Sequence, residues 1–320
     1  MQRFKNILVI LNPESIGTVA LDKAVKLARQ NEARLTLFSV VEVHQDLHRY
    51  PESVVDYLIA PIMSRQRECL RDLMKPLLAG GIDVVSKVVD GIAFLEIIRQ
   101  VMREEHDLVI TTAEEKKVIH TRLLGATSMH LMRKCPCPVW VVKRVQTRPY
   151  ARILAAVDPL VDETEHDSLN PLILQLAADM AREGNGELHI VHAWHLYGER
   201  YVHILGWTEE EIKKAKRKEM EQHKKHLDAL LAQVDIADLK PRLHLVEGHP
   251  DECIPELIMA QGIDLLVMGT VCRTGIAGFL IGNTAEEVLN QVDCSVLTVK
   301  PEGFETPVTL SSIGSLNADD

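Results

Sequence analysis

The chain has 320 residues, of which 46% are hydrophobic, 26% charged and only 4% aromatic, and it carries a formal net charge of −10. Its length suits two domains better than one, and the acidic balance repels phosphate backbones and anionic lipid, which argues against a nucleic acid or a membrane surface as partner. No apolar run approaches the ~20 residues that cross a bilayer, the amino terminus lacks a secretion signal's apolar core, and the six cysteines show no paired CxxC spacing, so the expected location is cytoplasmic.

In chain order, the spacing predicts strands near 5–11, 34–41, 82–88, 107–111 and 138–143, with helices near 15–31, 61–80, 92–105 and 126–134. Turn chemistry around Thr147-Arg-Pro149 marks a boundary. Strands near 152–157, 187–194, 242–247, 264–269 and 295–300 then alternate with helices near 168–183, 208–232, 250–261 and 283–292. Short β-branched runs separated by helix-length segments are the mark of a parallel sheet covered on both faces by crossover helices. The expected fold class is therefore α/β, with two tandem doubly wound domains, each a five-stranded parallel sheet flanked by helices. The expected bounds are 1–147, 148–303 and a polar tail, 304–320, with no periodic apolar pattern to hold it on a core. Lys213, Lys214, Lys216, Arg217 and Lys218 form a basic run, but glutamates at helical spacing flank it, as on a solvated helix face.

The two halves repeat each other. Asp107-Leu-Val-Ile110 and Asp264-Leu-Leu-Val267 are 157 residues apart, and so are Gly91 and Gly248, Gly125 and Gly282, and Lys143 and Lys300. Ile7-Leu-Val-Ile-Leu-Asn-Pro13 pairs with Ile153-Leu-Ala-Ala-Val-Asp-Pro159 at 146, so the second copy has gained loop residues.

In open parallel sheets ligands bind beyond the carboxyl ends of the strands. There the second copy carries Met268-Gly-Thr-Val-Cys-Arg-Thr-Gly-Ile-Ala-Gly-Phe-Leu-Ile-Gly-Asn-Thr-Ala-Glu286, a glycine-rich loop entering a helix. Glycines permit close backbone approach, and a helix start presents amides and a positive dipole end to an anion. Arg273 would add charge, Asn283 would cap the helix, and Asp158 would accept from a ribose hydroxyl or hold a metal.

Val157-Asp158, the Met268-to-Gly275 run, Gly282-Asn-Thr-Ala-Glu286 and the closing strand to Lys300 together resemble the universal stress proteins, in their tandem two-domain form. The resemblance spans both halves and implies the adenine-nucleotide α-hydrolase-like fold, a stress-response role in the cytoplasm, and ATP, with magnesium if bound, as ligand. The residues it points to are Val157, Asp158, Ala193, Met268, Gly269, Cys272, Arg273, Gly282, Asn283 and Thr284. Family members that bind ATP carry glycine, two residues, glycine, nine residues, glycine, then serine or threonine. Here those slots hold Gly269, Cys272, Gly282 and Asn283, and the cysteine crowds the phosphate slot. The first half reads Thr112, Glu115, Gly125 and Ala126, with Asn12 in place of Asp158, so it is expected not to bind ATP in the family manner. The resemblance also implies pairing of the halves through their fifth strands as an internal pseudo-dimer, and it is compatible with further homodimerisation.

Each residue has a plainer reading. The glycines also serve as turn and helix-entry residues, and Asp158-Pro159 as a turn starter. His189, His192 and His195 alternate awkwardly for a metal site on a regular strand. His44 and His48 read as solvated, Cys135-Pro-Cys137-Pro138 as a strand start, and Cys272 as a small buried side chain rather than a reactive thiol. No nucleophile–base arrangement is legible, so the expectation is a non-enzymatic protein binding a nucleotide or other small anion in its second half. A slow ATPase, or a binder of a non-nucleotide or lipid-like molecule, are the alternatives.

Overall fold

The computed structural model describes residues 3–12, 19–42, 51–113, 124–143, 148–159, 169–198, 201, 206–270 and 282–310. The first half runs β1 (Asn6–Ile10), α1 (Val19–Asn31), β2 (Arg34–Glu42), α2 (Glu52–Ala79), β3 (Val84–Gly91), α3 (Ala93–Glu104), β4 (Leu108–Thr112), α4 (Ala126–Lys134) and β5 (Val139–Val142). The second runs β6 (Arg152–Ala156), α5 (Leu169–Gly184), β7 (Glu187–Trp194), α6 (Glu209–Leu231), β8 (Arg242–Glu247), α7 (Pro250–Gln261), β9 (Leu265–Gly269), α8 (Asn283–Gln291) and β10 (Ser295–Val299).

The ten strands form one sheet in the order β3-β2-β1-β4-β5-β10-β9-β6-β7-β8. Within each half every pairing is parallel, whereas β5 and β10 pair antiparallel with Trp140 opposite Leu297. The fifth strands thus pair with each other instead of remaining as open edges. Alternate residues face opposite sides: Ile7 and Val9 lie on the face whose core also holds Leu27, Leu70, Ala177 and Leu227 of α1, α2, α5 and α6. Leu8 lies on the other face, whose core holds Ile97, Leu131, Ile254 and Val288 of α3, α4, α7 and α8. Both cores run through both halves, so the hydrophobic effect that stabilises each half also joins them.

The duplication extends to backbone detail. Gly91 and Gly248 both sit in the left-handed region, at φ 138° and 141°. A Cβ on Gly248 would lie 2.6 Å from the Cys253 sulfur. Asp107 accepts from the amides of Lys5 and Asn6 at 2.5 and 3.1 Å, and Asp264 accepts from those of Ala151 and Arg152 at 2.8 and 3.0 Å. Each aspartate therefore ties the start of its own first strand to the fourth.

Three features depart from the sequence expectation. α2 begins nine residues before the expected 61, and Pro61 lies inside it; its fixed φ is helical, so proline's cost there is the lost amide bond and ring crowding rather than a wrong dihedral. β3 extends to Gly91 because β2 continues to Glu42 and supplies a partner for every added residue. The segment after Lys300, expected to have no periodic apolar pattern to hold it on a core, lies on the first half as far as residue 310. Val308 is buried in the α3–α4 core, Arg99 Nε donates to the Thr309 carbonyl at 3.1 Å, and the Phe304 ring lies 5.0 Å from Lys300 Nζ. One apolar side chain and one carbonyl are enough of an anchor, and neither makes a periodic pattern. Among the described residues no helix is long and apolar enough to cross a membrane.

Candidate functional site

The switch point of the second half follows from strand order. β6 lies between β9 and β7. α5, which follows β6, and α8, which follows β9, cover opposite faces of the sheet, the arrangement that in open parallel sheets places a ligand site at the carboxyl edge. Ala156 is level with Met268, and β7 flanks β6 on its other side, with Ala156 opposite Val191. The ends of β6, β9 and β7 thus bring Val157, Asp158, Met268, Gly269 and Ala193 to one edge.

These residues do different things there. Val157 and Met268 are buried in the two cores, leaving their backbones at that edge. Ala193 is half-buried, level with Val246 of β8. Asp158 is held by its backbone: its amide donates to Asn170 Oδ1 at 3.1 Å, and Asn170 Nδ2 returns a bond to its carbonyl at 2.8 Å. That bracket, from the first turn of α5, fixes the main chain while the Asp158 side chain stays 41% exposed. A Cβ on Gly269 would lie 2.9 Å from Leu169 Cδ2, the movable end of a flexible side chain, so packing alone does not demand glycine there.

At the start of α8 the cap is Gly282, not Asn283. The Gly282 carbonyl accepts from the Glu286 amide at 3.0 Å, which makes Asn283 the first helical residue, with Thr284 after it, both exposed. Gly282 has φ −62°, open to any residue, whereas its twin Gly125 sits at φ 81° and needs glycine. Cys272, Arg273, Gly275, Gly278 and the first-half Glu115 lie outside the described residues, as do His44 and His48.

Several residues at the site escaped the sequence reading because their partners are distant. Arg133, at the end of α4, pairs with Glu286 in the first turn of α8, and its Nε is buried without a hydrogen-bond partner among the described residues. Lys300 is buried and donates to the Met132 carbonyl at 2.6 Å and to the Thr270 hydroxyl, which also donates to Met132 at 3.0 Å. The residue that opens the glycine loop is therefore fastened to the carboxyl end of a first-half helix. Burial pulls the Lys300 ammonium down to about 7.

Behind Asp158 stands a buried histidine pair. His192 Nδ1 is 3.2 Å from the Val157 carbonyl and 4.0 Å from Asp158 Oδ1, and its Nε2 is 2.6 Å from His223 Nδ1 on α6. A carbonyl only accepts, so in the neutral pair Nδ1 of His192 carries the proton and His223 Nδ1 donates to Nε2. His223 Nε2 then faces Glu219 Oε1 at 3.6 Å. Burial lowers the His223 pKa, against the pull of Glu219 and Asp158. His189 pairs instead with His244, at 3.0 Å. Among the described residues no group of three or more His, Cys, Asp or Glu side chains is arranged to hold a metal ion. Cys135 and Cys137 are buried with their sulfurs 3.6 Å apart, which pushes the Cys137 thiol up.

Two copies of a parallel α/β unit, each with a switch point in its strand order and joined through their last strands, define a tandem doubly wound protein. The chain belongs to the universal stress protein family: the model of that family matches it twice, over residues 3–143 and 149–300. It is 28% identical to universal stress protein E of Escherichia coli K12, covering 97% of this chain and 98% of the relative. With universal stress protein E of Photorhabdus laumondii it shares 27% identity, over 96% of this chain and 98% of the relative. A protein of unknown function from Pseudomonas aeruginosa PAO1 superposes with TM-score 0.66 at 27% identity, over 94% of each chain. A universal stress protein from Archaeoglobus fulgidus shares the fold, with TM-score 0.59 at 17% identity, over 92% of this chain and 98% of that one.

Proposed function

We propose that this is a non-enzymatic, cytoplasmic stress-response protein whose second half binds a nucleotide, ATP with magnesium foremost, or another small anionic ligand. The observation that carries this reading is Asp158, a carboxylate with a fixed backbone and an exposed side chain at the switch point of the second sheet. The donor set fits a nucleotide. Asp158 would accept from ribose hydroxyls, and the amides of Asn283 and Thr284 would meet phosphate at the start of α8. Glu286 in the same turn would oppose a phosphate, and Arg133 offsets its charge. Magnesium, when bound, would neutralise part of the triphosphate charge. The first half holds Asn12 in place of the aspartate and Thr112 in place of Gly269, which favours the second half as the binding half.

Titration of ATP and magnesium into the full-length chain tests the proposal. Saturable binding is expected, weakened at least tenfold, about 1.4 kcal/mol, by Asp158→Ala. No binding to wild type or to Cys272→Gly overturns it. Phosphate release that disappears in Asp158→Ala would establish hydrolysis instead, and native mass spectrometry retaining an apolar molecule would identify a lipid-like ligand.

A further inference from the structure

A cavity lies on the seam between the halves. It measures about 190 Å3, with α1 and α5 as its walls and β5 and the segment joining the halves as its floor. Trp140 and Tyr150 form that floor, both buried. Trp140 Nε1 donates to the Tyr150 hydroxyl at 3.2 Å, and that hydroxyl also bonds with the Ser295 side chain. Their polar ends are thus engaged within the protein, and the little surface they leave to the cavity is aromatic. Val19 and Met180 extend it with aliphatic wall.

The charges at the mouth are unequal. Lys26 and Glu183 cancel in an ion pair at 2.9 Å, and Asp22 is exposed to solvent. Lys23 is half-buried, with its ammonium 4.4 Å from the Tyr150 ring centroid and a hydrogen bond to the Arg148 carbonyl at 2.8 Å. Burial lowers its pKa first and the neighbouring Lys26 second, while Glu183, Asp264 and Asp22 act the other way. Burial and a like charge both disfavour the ammonium, and an arriving anion would offset both.

Size narrows the guest. An apolar cavity of about 150 Å3 accommodates benzene, whereas drug-sized ligands need about 300 Å3 or more. The seam has room for one ring with a small substituent and is too small for a nucleotide. We propose that the seam binds a small planar monocarboxylate, its ring against Trp140, Tyr150 and Met180 and its carboxylate on Lys23. The site uses α1 of one half and α5 of the other, so its occupant touches both, and it is separate from the Asp158 site.

Benzoate is the probe and benzyl alcohol its uncharged counterpart, each titrated into the full-length protein and read by the tryptophan fluorescence and by the thermal midpoint. The expected result is saturable benzoate binding at least tenfold tighter than that of benzyl alcohol. Lys23→Met should weaken benzoate at least tenfold and leave benzyl alcohol unchanged, and Lys23→Arg should restore most of the loss. Asp158→Ala should leave benzoate binding intact, which keeps this proposal distinct from nucleotide binding. Absence of saturation by about 10 mM benzoate, or equal benzoate affinity in wild type and Lys23→Met, would overturn it.

Discussion

The two switch points are built on the same plan with different chemistry behind them. In the first half, Ser39 of β2 donates to Gln66 Oε1 on α2 at 2.8 Å, and both are buried. At the equivalent strand and helix positions, the second half has His192 and His223, 2.6 Å apart and also buried. Both pairs hold the second strand to the helix that follows it, so a buried polar link is part of the framework. Making that link from histidines adds titratable groups behind the one switch point that carries an aspartate. The carboxyl ends of the fifth strands differ in the same way. Lys143 reaches the Asp293 carbonyl at 3.0 Å and its carboxylate at 2.8 Å near solvent, while Lys300 makes the corresponding reach to Met132 in the interior. Symmetry of backbone is compatible with asymmetry of electrostatics, because a helix end accepts a cation in either setting.

The largest test of the comparison exchanges the buried pairs. His192→Leu alone leaves His223 Nδ1 without its partner and should cost about 1–3 kcal/mol of unfolding free energy. His192→Ser with His223→Gln, which rebuilds the first-half pair, should recover much of that loss in a denaturant melt. A double mutant no more stable than His192→Leu would refute the equivalence.

A pH series sharpens it further. His106, His130, His189, His223 and His244 all have pKa values lowered from 6.5, with burial the leading cause. The unfolded chain takes up these protons more readily than the folded one, so their contribution is complete above about pH 6.5 and is lost as pH falls toward 5. The thermal midpoint should drop over that window, and the double exchange that removes both His192 and His223 should make the slope shallower. A midpoint independent of pH between 7 and 5 would contradict the burial of these rings.

The last test concerns the lysines. The folded pKa of Lys300, about 7, lies below its ordinary value of 10.5, so wild type should gain stability relative to Lys300→Met as pH rises from 7 to 10. Lys143→Met, at a wetter site, should lose at most about 1 kcal/mol. Parallel pH profiles for the two variants would show the sites to be alike after all.

Much of the architecture was legible because it is local and written twice. Strand order within each half follows from short β-branched runs separated by helix-length segments, and the constant separation of Asp107/Asp264 and Gly91/Gly248 reflects one clamp and one left-handed turn used in both copies. The helix cap was misassigned to Asn283 because Gly282 has no side chain to announce a capping role. The anchoring of residues 301–310 was missed because it depends on Val308 and on Arg99, far away on α3. The cation opposite Glu286, the fastening of Thr270 and the partner of His192 were invisible for the same reason.

By itself the sequence determined two copies of a parallel α/β unit, since hydrophobic periodicity and turn chemistry act over a few residues at a time. It also placed Asp158 after a first strand, where parallel sheets bind ligands. Tertiary structure alone decided which charges are dry, which helix ends meet across the seam, and that a ring-sized space remains between α1 and α5. Those properties arise where segments more than a hundred residues apart exclude water together, and burial then sets the strength of every charge and hydrogen bond enclosed there.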